Sequence, residues 1–176
     1  MRCTSDENIM EHSWEVAIIA HALALIKNEK FGGSVDEYKT LCLAVYHETS
    51  EVVTGDLPTP IKYFNDDIKT AYKSLEALSC QKLVSKLPEE LRAKYETFVS
   101  GDTKSEEYKL MKAADRICAY IKCVEELKVG NREFIKAKES IGADIFAIDD
   151  PAVQYFCKYI LPTFEKSLDE LEEIGN

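Results

Sequence analysis

Glycine and proline are scarce, seven and five in 176 residues, too few for the many turns of a multi-stranded sheet architecture. Basic charge is also short. Twenty-two Lys and Arg stand against 32 Asp and Glu, a formal net charge of −10. A surface of that sign excludes tracking along a nucleic-acid polymer or lying on anionic lipid, both of which need basic patches. It leaves room for a small anionic substrate, because a bound cation can reverse the field inside a cleft. There is no CxxC pair among Cys3, Cys42, Cys80, Cys118, Cys123 and Cys157. These thiols sit among apolar neighbours, so they are expected to be buried and free, in a reducing compartment.

A basic amino-terminal leader is missing too. Asp6, Glu7 and Glu11 precede the apolar run Val16–Ile26, where a signal peptide would carry Lys or Arg. His21 interrupts that run, which is too short to cross a bilayer. A soluble cytoplasmic protein without membrane association is the expectation. No internal repeat, low-complexity segment or linker divides the chain, so residues 1–176 are expected to form one domain.

What is abundant is helix-forming sequence. Apolar positions recur at helical spacing from Ile9 to about Asn28, with Ser5 or Asp6 as the predicted cap. A second helix is predicted from Ser34–Asp36 through Val45 and on to Gly55. Further helices follow: from Asn65 or Asp66 to about Leu87, from Pro88 to about Phe98, from Thr103 or Ser105 to Gly130, and from Phe134 to Ile141. The last opens at Pro151, with a kink or break at Pro162. The fold class is all-α, a compact bundle of about six or seven helices.

Only three histidines occur. His47 stands beside Glu48, and Glu51 follows at i+4 and i+3 from them, on the same side of a helix. Two ligand side chains and a spare carboxylate suit metal-assisted hydrolysis: the ion lowers the pKa of water and the carboxylate manages its proton. Taken alone, this stretch reads better as a solvated helix face with a Tyr/His edge. His12 alone is an ordinary helix-start histidine, and His21, between Ala20 and Ala22, reads as a satisfied core histidine. Asp115 interrupts the apolar run Ala113–Ala119 and must be paired or coordinated there; Arg116 or a lysine from another helix would pair it. The turn Gly55-Asp56-Leu57-Pro58-Thr59-Pro60, with Lys62 beside it, is either a rigid turn or the mouth of a cleft.

In order, His12, His47-Glu48 and Asp115 resemble the H…HD…D pattern of the HD-domain phosphohydrolases, helical enzymes that hold a divalent metal within the bundle. Within them the chain resembles the bacterial 5′-deoxynucleotidases, the YfbR-like group. The likeness is carried by residues 8–13, 20–24, 46–64, 114–120, 125–127 and 130–131, nearly the whole chain in collinear order. Its most specific stretch is Thr54-Gly55-Asp56-Leu57-Pro58-Thr59-Pro60-Ile61-Lys62-Tyr63-Phe64.

The resemblance implies a homodimer that removes the 5′-phosphate from deoxyribonucleoside 5′-monophosphates. It implies His12, His47, Glu48 and Asp115 as ligands of one divalent metal, with Glu51 as the catalytic carboxylate. Asp56, Leu57, Pro58 and Thr59 would contact the nucleotide, with His12 and Glu48 bordering it. Cobalt or manganese is the ion the family implies; the donor set is also compatible with zinc, iron or nickel. Two features depart from the pattern. Glu48 stands where the family has Asp, one methylene longer. The chain has no counterpart of the Arg-Trp pair found upstream of the segment matching Met1–His12, and Arg2 does not match that position. Two alternatives follow: an HD-type hydrolase of nucleoside triphosphates or other phosphoesters, and a catalytically impaired nucleotide-binding module.

Overall fold

The computed structural model describes residues 3–4, 7–55, 57, 59–62, 64–167 and 169–170, leaving aside the side chains of Thr59 and Pro60. Among these residues the regular structure is helical: α1 (Ile9–Phe31), α2 (Glu37–Tyr46), α3 (Glu51–Thr54), α4 (Thr59–Lys62), α5 (Asp66–Val84), α6 (Glu89–Val99), α7 (Glu106–Lys128), α8 (Ile135–Phe146) and α9 (Pro151–Tyr159). Short 3₁₀ turns span Arg132–Phe134 and Leu161–Glu165. Seven of the helices run nine residues or more, in line with the all-α expectation.

Helices α1 and α7, each 23 residues long, form the centre. The α1 face made by Val16, Ile19, Ala20, Leu23 and Ala24 meets the α7 face made by Leu110, Ala114, Ile117, Ile121 and Val124 in one hydrophobic cluster. Helix α2 adds Leu43 and Ala44, and α9 adds Val153 and Phe156. Helix α1 is long and apolar enough to cross a membrane, with a mean hydropathy of 1.3. Its buried face is, however, taken up by helix–helix packing, as in the core helix of a globular protein.

Several boundaries differ from the sequence expectation for identifiable reasons. Asn8, rather than Ser5 or Asp6, caps α1: its side chain accepts from Met10 N and Glu11 N, and Glu11 closes a capping box onto the Asn8 amide. The helix then runs to Phe31 because Gly32, at φ 65°, supplies the left-handed cap. Helix α2 does not reach Gly55. It stops at Tyr46 because His47 Nδ1 donates to Ala44 O at 2.7 Å and Thr49 Oγ1 donates to Tyr46 O at 2.6 Å. Side chains thus take carbonyls that the next helical turn would have used. At the other end, Pro162 breaks the chain as expected, and a 3₁₀ turn follows α9. The cysteines divide: Cys118 and Cys123 are buried, Cys42, Cys80 and Cys157 are half-buried, and Cys3 is exposed. Uniform burial is therefore corrected, and all six are free.

Candidate metal centre and adjoining cleft

Four side chains from separate parts of the sequence meet where α1, α2 and α7 converge. His12 extends the buried α1 line Val16–Ile19–Leu23 one turn towards the helix start. Asp115 lies between Met111 and Cys118, both 2% exposed, on the inward stripe of α7. His47 and Glu48 come from the turn after α2. One donor atom from each of His12, His47, Glu48 and Asp115 lies within 4.8 Å of all the others. This is the set the sequence pattern singled out.

The shorter contacts show how the four side chains are oriented towards one another. Asp115 Oδ1 lies 3.3 Å from His12 Nε2 and 3.8 Å from His47 Nε2, and Oδ2 accepts from Lys112 Nζ at 2.6 Å. Its lysine partner is therefore Lys112, three residues back on its own helix, rather than Arg116 or a lysine from another helix. Glu48 Oε1 reaches to 3.0 Å from His47 Nε2, so the longer side chain still delivers a carboxylate to the group. His12 Nδ1 faces Glu7 Oε1 at 3.6 Å.

His47 tests whether these residues fit a metal. With Nδ1 hydrogen-bonded to Ala44 O, the neutral ring carries its lone pair on Nε2. That Nε2 is buried and, although Glu48 Oε1 lies 3.0 Å and Asp115 Oδ1 3.8 Å away, it completes no hydrogen bond among the described residues. An orphaned ring nitrogen facing two carboxylates and a second imidazole is costly unless something coordinates it. The donors fit a divalent ion that takes mixed nitrogen and oxygen ligands.

Electrostatics follow the same geometry. Burial alone would lower His47, but Asp115 and Glu48 override it and raise the imidazole to about 9. Burial would raise Glu48; the neighbouring His47 and Glu51 hold it instead at about 2. Asp115 is likewise held well below its ordinary value, against burial, by His12, His47 and Lys112. His12 is raised, its desolvation outweighed by Asp115. The carboxylates of this pocket favour positive charge on both rings, the kind of charge a bound cation would supply instead.

Glu51 opens α3, and with Glu7, His12 and Glu48 it lines a cavity of about 230 Å³. Leu57 is half-buried, whereas Asp56, Pro58 and the side chain of Thr59 lie outside the described residues. His21 is half-buried on α1 and takes no part in the cluster. Lys112 and Glu7 were not foreseen from sequence. For Lys112 the signal was there: it is the i−3 neighbour of an acidic residue that needed a partner.

A second missed feature fixes the amino-terminal approach. Glu126, 2% exposed, accepts from Thr4 N at 2.9 and 3.0 Å, from Thr4 Oγ1 at 2.9 Å and from Asn131 Nδ2 at 2.8 Å. One turn earlier on α7, Lys122 Nζ lies 3.5 Å from Glu7 Oε2. Helix α7 thus holds the segment before α1 at two points and brings Glu7 to His12.

The model of the YfbR-like 5′-deoxynucleotidase family matches residues 1–164. The chain belongs to that family. YfbR-like relatives match along almost the whole sequence. A 5′-deoxynucleotidase of Vibrio vulnificus is 51% identical over 172 residues, covering 97% of this chain and 89% of the relative. The 5′-deoxynucleotidase YfbR of Escherichia coli is 48% identical over 174 residues, covering 98% and 87%. Among solved structures, an HD-domain phosphohydrolase from Listeria innocua superposes with a TM-score of 0.83 at 24% identity, over 97% of this chain and 83% of that one. At that identity it shows the fold. A protein from Pyrococcus horikoshii aligns with a TM-score of 0.63 at 26% identity, over 93% and 85%. The YfbR-like chain therefore has an HD-domain helical bundle.

Proposed function

We propose that this chain is a divalent-metal-dependent 5′-deoxynucleotidase that converts deoxyribonucleoside 5′-monophosphates to deoxynucleoside and phosphate, as a cytoplasmic homodimer. The observation that carries the reading is the buried His47 Nε2, which completes no hydrogen bond inside the four-residue cluster. The names of the relatives, all 5′-deoxynucleotidases at about half identity, supply the substrate class.

His12, His47, Glu48 and Asp115 would hold one ion, cobalt or manganese by preference. When bound, the ion lowers the pKa of water and neutralises charge on the phosphate. The protein's own part is positional and protonic. The Ala44 carbonyl fixes the His47 tautomer, and Glu7 faces His12 Nδ1 at 3.6 Å from outside the cluster. Glu51, beside Glu48 at the rim, receives the proton of the attacking water or returns one to the leaving nucleoside oxygen. Asp56, Leu57, Pro58 and Thr59 contact the nucleotide, with His12 and Glu48 bordering the same space. An exposed apolar line on α1, Met10, Trp14 and Ile18 at 79%, 67% and 52%, supports a dimer surface. One hydrophobic cluster joining α1, α2, α7 and α9 supports reading residues 1–176 as one domain.

Phosphate release measured with malachite green across deoxynucleoside mono-, di- and triphosphates tests the assignment. Turnover of monophosphates in the presence of cobalt is expected. Preferential formation of deoxynucleoside and tripolyphosphate from deoxynucleoside triphosphates, read by chromatography of the same reactions, would sink it. Glu51→Gln should lower kcat by about a hundred-fold or more while leaving metal content unchanged; loss of metal instead would make Glu51 a ligand.

A further inference from the structure

Beside the metal cluster, a cleft of about 370 Å³ opens between α5 and α7. Its volume is in the range of small-molecule sites. At one end stand His47, Glu48 and Lys112; along the α5 wall stand Lys69, Lys73 and Glu76 with Tyr72 between them, and Lys62 joins them from the end of α4. Four lysines against two glutamates is a local reversal of sign in a chain of net charge −10.

The lysines are not equivalent. Lys112 is bonded to Asp115 at 2.6 Å and belongs to the cluster. Lys62 is held by Glu76 at 2.6 Å and lies over the Tyr72 ring at 4.6 Å. The Tyr72 hydroxyl in turn donates to Gly55 O at 3.3 Å, which ties this wall to the turn read as contacting the nucleotide. Lys69 and Lys73 are four residues apart, on one face of α5, and both line the cleft. A monophosphate whose phosphorus sits at the cluster places its two charges there and leaves the α5 wall to water. A ligand with phosphates beyond the first would extend along it.

We propose that the α5 wall, through Lys69 and Lys73, is a subsite for the additional phosphates of nucleoside di- and triphosphates, which bind competitively with the monophosphate substrate. The competition with substrate rests on the function proposed above; the binding itself does not. Flexible ammonium groups suit this task, because they meet a polyphosphate chain as point charges without demanding one geometry.

Inorganic tripolyphosphate is the probe, because it carries the charge without the nucleoside. Formation of deoxyadenosine from dAMP is followed at constant free cobalt, for the unmodified protein and for Lys69→Ala/Lys73→Ala. Competitive inhibition is expected. The variant should weaken it about ten-fold, with KM for dAMP within about three-fold of the original. Equal inhibition of both proteins would mean metal chelation or general surface charge, and would overturn the proposal. A parallel rise in KM for dAMP would overturn it too, by assigning the lysines to the monophosphate itself. Should the protein not hydrolyse dAMP, the function proposed above fails, and calorimetric titration of tripolyphosphate into metal-free protein still decides the subsite. Binding that is about ten-fold weaker in the variant upholds the subsite, and equal or absent binding removes it. Circular dichroism checks that the two Ala substitutions leave α5 intact.

Discussion

Asp115→Asn should remove turnover by at least about a thousand-fold and bring bound metal from about one equivalent to near none. The substitution keeps the shape and removes the charge. Asp115 forms ion pairs with both imidazoles: Oδ1 lies 3.3 Å from His12 Nε2 and 3.8 Å from His47 Nε2. It also holds Lys112 Nζ in an ion pair at 2.6 Å. Without its charge an ion would lose an anionic ligand and gain an uncompensated lysine 2.6 Å from the ligand position. Elemental analysis of purified protein, with circular dichroism as a folding check, measures the outcome. A folded Asp115→Asn protein that retains both its metal and its turnover would show that the ion, if any, lies elsewhere.

The same residue shows how far the sequence could lead. A carboxylate in the run Ala113–Ala119 announced that it needed a partner, and helical spacing put it on the inward face of α7. Lys112, three residues back on the same helix, was within reach of sequence reasoning, whereas the contacts with His12 and His47 depend on how α1, α2 and α7 approach one another. His12, His47 and Asp115 are separated by 35 and 68 residues of chain, and only packing brings them within 4.8 Å. The ordered pattern His12, His47-Glu48, Asp115 was legible through family resemblance, whereas residue by residue each member was matched by an ordinary structural alternative.

The turn after α2 was misread for a local reason. Apolar periodicity continues through Val52 and Val53, so a continuous helix to Gly55 looked correct. His47 and Thr49 instead bond back to Ala44 O and Tyr46 O, and the helix ends. This matters for the site. On an unbroken helix His47 and Glu48 would point roughly 100° apart; in the turn, Glu48 Oε1 lies 3.0 Å from His47 Nε2. The extra methylene of Glu48 therefore acts in a geometry that helical-wheel reasoning did not supply. The Glu126 clamp was hidden for a different reason: its partner, Thr4, is 122 residues away.

Metal affinity should rise about ten-fold per pH unit between about pH 7 and 9 and level off above, because a proton and the ion compete for His47 Nε2. The folded, metal-free protein raises His47 to about 9 from an ordinary 6.5. Its protonated form therefore stabilises the metal-free fold fully below about pH 6.5, and that contribution is lost as pH climbs through about 9. The shift corresponds to at most about 3 kcal/mol, and His12, also raised, acts in the same direction. Glu48 and Asp115 are depressed, so they stay ionised across the whole window and add no slope there. The metal-free melting temperature should accordingly fall from pH 6.5 to 9 while the metal-loaded one holds, widening the gap between them. Titration calorimetry near pH 7.5 in two buffers of different ionisation enthalpy should register release of about one proton per ion. A pH-independent affinity with no proton released would mean that His47 Nε2 is not a ligand, and its lack of a hydrogen-bond partner would then need another occupant.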